Sequence, residues 1–138
     1  MAQTNDKTIA DYSSVWSSDS KEMVDYTEKE YEKDQIWNMN AYGTGKNLQT
    51  NNIGHNFYPS WTSDGKRIIF CSNHDGEEQV IYSMNADGSD IKRLMTANSS
   101  YARMSPNGKM IAFIAGRFPA TAIYVAGADG SNPVKITP

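Results

Sequence analysis

At 138 residues, with a formal net charge of −3 and a single cysteine, the chain is sized for one domain. It offers no basic surface for nucleic acid and cannot close an internal disulfide. Its 38% hydrophobic content is low for one thick core, and no apolar stretch reaches the roughly 18 residues of a membrane-spanning helix.

Residues 1–11 start on a polar run, Ala2 to Asp6, and are expected to form a flexible N-terminal segment. From residue 12 onward a pattern recurs three times. The first copy reads V-W-S-S-D-S-K-E-M-V from Val15, then Q-I-W-N-M-N-A-Y-G-T from Gln35. The second reads P-S-W-T-S-D-G-K-R-I-I-F from Pro59, then V-I-Y-S-M-N-A-D-G-S from Val80. The third reads M-S-P-N-G-K-M-I-A-F from Met104, then A-I-Y-V-A-G-A-D-G-S from Ala122. Trp16, Trp61 and Met104 mark spacings of 45 and 43 residues, and Gly43, Gly88 and Gly130 mark 45 and 42. A unit of this length cannot bury its own apolar faces and must stack on its neighbours. Turns of D-G or N-G type interrupt every candidate helix, so the repeats are read as four-stranded antiparallel blades. Their expected limits are about 12–55, 56–97 and 98–138.

In the second repeat the expected strands are Phe57–Thr62, Arg67–Ser72, Gln79–Asn85 and Ile91–Met95, with Gly65 supplying the positive φ of the first turn. Ile68 and Phe70 should face one neighbour and Ile69 and Cys71 the other, with Ile81 and Tyr82 likewise divided. Cys71, in an apolar strand, is expected to be inert core. The first repeat is irregular. Asp19-Ser20 stands where Asp64-Gly65 stands, and Asp25 falls in the slot of Phe70 and Phe113. Either a bulge moves Tyr26 into that slot, or the first blade faces solvent there, or a carboxylate points at a blade face. The segment Thr27–Asp34 reads as a solvated, charged hairpin tip.

These repeats resemble the TolB-type, WD-like β-propeller repeat, whose pattern runs W-S-P-D-G-K, I-x-F, I-Y-x-M-N-x-D-G and L-T. Thr62-Ser63-Asp64-Gly65-Lys66, Ile81-Tyr82-Ser83-Met84-Asn85 and Leu94-Met95-Thr96 carry it in the second copy. Ser105-Pro106-Asn107-Gly108-Lys109, Ile123-Tyr124 and Lys135-Ile136-Thr137 carry it in the third. The resemblance spans nearly the whole chain. It implies an all-β fold of three four-stranded blades, half of a six-bladed TolB-like propeller. Three blades cannot close a ring, so the chain is expected to pair as a homodimer or to be part of a longer propeller. The resemblance also implies a periplasmic or secreted location. The chain as given shows no signal peptide, as after removal of one.

Catalytic signatures are missing. There is no G-x-S-x-G elbow and no H-E-x-x-H motif. His74-Asp75 is a lone pair, Lys46 lacks phosphate-loop spacing, and Asp87-Gly88-Ser89-Asp90 is too short for a helix–loop–helix calcium site. No cofactor or metal is expected. Asn98-Ser99-Ser100 matches a glycosylation triplet of low specificity. The expected function is a non-catalytic protein-interaction scaffold, with a protein partner and no membrane insertion. Its binding residues, near the axial channel or top face, are His55, Asn56, Tyr58, Asn98, Tyr101 and Arg103. The alternatives are the propeller portion of a larger peptidase or polysaccharide lyase, or a sugar-binding propeller using Trp37, Tyr42 and Tyr101. Trp37 aligns with Tyr82 and Tyr124, which favours a core role for it.

Overall fold

The computed structural model describes residues 9–29, 33–51, 54–76, 78–96 and 98–138. Twelve strands form three separate four-stranded antiparallel sheets, each in simple sequential order. Blade 1 comprises β1 (Ile9–Trp16), β2 (Glu22–Lys29), β3 (Gln35–Asn40) and β4 (Asn47–Leu48). Blade 2 comprises β5 (Asn56–Trp61), β6 (Arg67–Ser72), β7 (Val80–Asn85) and β8 (Lys92–Arg93). Blade 3 comprises β9 (Ser99–Met104), β10 (Met110–Ala115), β11 (Ala122–Gly127) and β12 (Val134–Lys135). The first strand starts at Ile9 rather than at residue 12, and the rest of the expected flexible segment lies outside the described residues. Among the described residues no helix is long and apolar enough to cross a membrane.

The apolar pattern on both faces of the second strands explains why the sheets stack. Ile68, Phe70 and Tyr82 of blade 2 pack with Val24 and Ile36 of blade 1, edged by Val15 and Tyr26. Ile69 and Ile81, on the opposite face, pack with Ile111, Phe113 and Ala126 of blade 3. The division of faces expected for Ile68, Phe70, Ile69, Ile81 and Tyr82 is therefore the one observed. Burying a side chain of this size contributes roughly 1.5–3 kcal/mol, and blade 2 does so on two sides. The first strands of successive blades lie close together, whereas the short fourth strands β4, β8 and β12 stand apart from neighbouring sheets. The blades thus fan outward from an inner edge formed by β1, β5 and β9.

Each blade also seats on the one before it through its third turn. A side chain on Gly88 would place its Cβ 2.4 Å from the Gln49 carbonyl oxygen of blade 1, and Gly130 meets the Leu94 carbonyl of blade 2 in the same way. The outer strand expected over Ile91–Met95 is reduced to Lys92–Arg93, because Asp90, at φ 54°, bends the chain just before it.

Candidate functional site

Every inner strand breaks its ladder at the same place. Tyr12 and Val15 of β1, Phe57 and Ser60 of β5, and Ser100 and Arg103 of β9 flank a shift in register. Two inner-strand residues there oppose one residue of the second strand, which is a β-bulge. The first bulge residue is left-handed in all three blades: Ser13 at φ 56°, Tyr58 at 53° and Tyr101 at 55°. Glycine is the usual occupant of such a position, and a bulky residue there costs on the order of 1–2 kcal/mol.

That backbone brings two tyrosines together. The Tyr58 and Tyr101 rings stack with centroids 3.9 Å apart and planes at 24°. The row continues into blade 1 through the edge of Tyr26, 5.7 Å from Tyr58, and then Tyr12, stacked 5.5 Å from Tyr26. Tyr101 is 45% exposed and Tyr12 is also open to solvent. A hydrogen bond with Tyr101, reinforced by burial, raises the Tyr58 phenol well above the ordinary tyrosine range.

The other expected binding residues divide. Arg103, also on β9, is exposed, and its Nη1 donates to the Ala102 carbonyl at 2.9 Å. His55 precedes β5 and is half-buried, its Nδ1 2.7 Å from Asp34 Oδ2 and its Nε2 3.3 Å from Lys33 Nζ. Asn56 is fully buried, and its amide donates to Gln35 Oε1 and the Gly54 carbonyl, so it pins the chain between blades. Asn98 occupies the position in the repeat that His55 has one blade earlier. It lines a separate cavity of about 530 Å³ with Glu78, Arg117 and Phe118. The structure thus joins Tyr58 to Tyr101, with Arg103 on the same strand, and puts Asn98 elsewhere.

In the irregular first blade the third of the expected alternatives holds, and a carboxylate points at the blade face. β2 and β3 pair without a break, and Asp25 opposes Trp37 as Phe70 opposes Tyr82 and Phe113 opposes Tyr124. No bulge in β2 rescues the slot with Tyr26, and the slot does not face solvent: Asp25 is 1% exposed. Its Oδ2 lies 3.6 Å from Lys46 Nζ, while its Oδ1 has no hydrogen-bond partner among the described residues. Lys46 also pairs with Asp11 at 2.9 Å and sits 5.4 Å from the centre of the Trp37 ring. Burial pushes the Asp25 carboxyl up to about 6; Lys46 opposes that rise and Asp11 adds to it. Trp37, weighed as a sugar platform, is engaged here instead, with its indole N–H donating to Thr27 Oγ1 at 2.8 Å.

The Cys71 thiol is buried, and desolvation raises it to about 12, so it is not a nucleophile. His74 pairs with Asp75 and Ser72. Among the described residues no group of three or more His, Cys, Asp or Glu is placed to hold a metal ion.

The family model for the TolB beta propeller domain matches residues 3–138. The chain belongs to the TolB β-propeller family. Among solved structures it is similar to a protein described as TolB from Agrobacterium tumefaciens. Identity there is 21% and the TM-score 0.84, over 94% of this chain and 50% of that one. TolB from Acinetobacter baumannii matches at 22% identity and a TM-score of 0.77, over 91% of this chain and 32% of that one. An oligogalacturonate lyase in complex with manganese matches at 14% identity and a TM-score of 0.68, over 86% and 33%. This chain therefore spans half or less of the length of each of these structures. At such identities the likeness establishes the fold and no more. No curated protein matches the chain.

Proposed function

We propose that this TolB-family chain is a non-catalytic interaction scaffold that receives a protein partner on the inner-strand surface formed by Tyr58, Tyr101 and Arg103. The observation that supports it is the Tyr58–Tyr101 stack, held at strained left-handed positions with one ring half exposed. Backbone strain is retained where the surrounding structure imposes it, and it gathers at functional sites. Stiff aromatic rings beside an arginine make efficient protein contacts, because little side-chain freedom is lost on binding. A periplasmic or secreted location accords with membership of the family.

Photo-crosslinking from position 101 in an extract of the source cells tests this reading. One discrete adduct is expected, weakened at least tenfold by Tyr58→Ala or Arg103→Ala. An adduct indifferent to both substitutions overturns the assignment of the surface. Turnover of a peptide ester or of an oligogalacturonide by the purified chain overturns the non-catalytic reading.

A further inference from the structure

Two kinds of stacked ring pair run through the blades. Tyr82 stacks on Phe70 and Tyr124 on Phe113, at 5.9 and 5.7 Å between centroids. Each of these pairs lies within one blade, and one ring of each carries no hydroxyl. Tyr58 and Tyr101 differ on both counts. They are two phenols, they stand on β5 and β9, and their rings stack at 3.9 Å across the seam between blades 2 and 3. Tyr12 and Tyr26, at 5.5 Å, are the other stacked phenol pair among the described residues, and both belong to blade 1.

Two phenols in contact invite a reaction that a phenol and a phenyl ring do not. A tyrosine that loses one electron to an oxidant also sheds its hydroxyl proton, because the ring cation is a strong acid. The phenoxyl radical left behind carries unpaired spin on the carbons ortho to the oxygen. Two such radicals join through those carbons, and the hydrogen on each joined carbon then moves to its own oxygen, which restores both phenols. In sum, two C–H bonds break, one C–C bond forms, and two electrons and two protons leave. The Tyr58 and Tyr101 hydroxyls share a hydrogen bond, so the rings point the same way and their ortho carbons lie together. Tyr101 is 45% exposed, which gives an oxidant access, a path for the proton to water, and room for the ring to slide as the bond forms. Tyr58 is half-buried and held by Tyr26 and Phe57, so it stays beside its partner. Holding both reactants in one molecule at contact distance makes the coupling effectively unimolecular.

We propose that Tyr58 and Tyr101 form a site of oxidative cross-linking, at which a one-electron oxidant joins the two rings carbon to carbon and ties blade 2 covalently to blade 3. The reaction needs only the chain's own geometry and does not depend on what binds the tyrosine surface.

The test uses the purified full chain, flashed with ruthenium trisbipyridine and persulfate at a dilution that suppresses coupling between molecules. One persulfate ion takes up both electrons and leaves as two sulfates. The expected product is a monomer lighter by two hydrogens, with the blue fluorescence of dityrosine and a cross-link joining the tryptic peptides that hold Tyr58 and Tyr101. Tyr58→Phe and Tyr101→Phe each keep a ring in the stack and are expected to lower the fluorescent yield at least tenfold. Tyr42→Phe removes a phenol that is 83% exposed and stacks on no other ring among the described residues, and it is expected to leave the yield unchanged. Treatment is also expected to raise the urea midpoint of the wild type and not that of Tyr101→Phe, because the new bond closes a loop in the unfolded chain. Three results would overturn the proposal. One is a linkage that maps mainly to Tyr12–Tyr26 or joins separate molecules. Another is a yield indifferent to both substitutions in the stack. The third is a cross-linked monomer whose urea midpoint is no higher than before treatment.

Discussion

Asp25 opposes Trp37 across the β2–β3 ladder in the place where Phe70 opposes Tyr82 one blade later. One repeat thus holds a carboxylate where its neighbours hold a phenyl ring, and Lys46 and Asp11 have gathered around it.

The first prediction concerns pH. The Asp25 carboxyl titrates at about 6 in the folded chain against an ordinary 3.8. An acid whose value is raised by folding binds its proton more tightly folded than unfolded. Its contribution therefore favours folding at low pH and is lost as pH climbs from about 4 to about 6. By about pH 8 the loss is on the order of 2 kcal/mol. Asp25→Asn is expected to stabilise the chain by about that amount at pH 8 and to leave it nearly unchanged at pH 4. Urea unfolding curves at the two pH values check this, and an equal effect at both would refute it.

Ser20 adopts φ 60° at the turn position where Gly65 and Gly108 adopt 70° and 71°. Serine strains there and glycine does not. Ser20→Gly is expected to stabilise by about 0.5 kcal/mol, since the relief of strain exceeds the added freedom of the unfolded chain. A thermal midpoint unchanged or lowered would contradict this.

Gly88 combines φ 84° with a Cβ position 2.4 Å from the backbone oxygen of Gln49. Neither backbone can yield without parting blades 1 and 2. Gly88→Ala is expected to cost on the order of 3 kcal/mol in chemical denaturation, far more than Gly76→Ala, where the added carbon meets nothing within 4 Å.

Tyr101→Phe removes the hydroxyl that bonds to Tyr58. Ultraviolet titration should then show the Tyr58 phenol ionising at lower pH than in the wild type. If its ionisation is unmoved, burial rather than the hydrogen bond governs that group.

The repeat was legible because its signals are local. Asp-Gly turns fix where strands reverse, and period-2 alternation assigns Ile68 and Ile69 to opposite blades. The same alternation placed Asp25 in the phenylalanine slot, but not its surroundings. Lys46 reaches Asp11 and Asp25 only because the β3–β4 turn folds back over that face, and no spacing rule links residues so far apart. The tyrosine row was legible only in part. Tyr58 and Tyr101 were expected at a binding surface, yet their stacking depends on left-handed bulges that carry no glycine to announce them. Asn56 looked like a surface residue because one of its amide partners, Gln35, comes from the preceding blade.

Blade 2 supplies residues to both apolar clusters, and no strand of blade 1 touches blade 3 among the described residues. A row whose contacts are all between nearest neighbours frays from its ends. Amide protons on β6 and β7 should therefore be the last to exchange with deuterium. The outer blades can open singly, each exposing one side of the middle blade, whereas opening the middle blade breaks both seams at once. The keystone of this arc is its middle sheet.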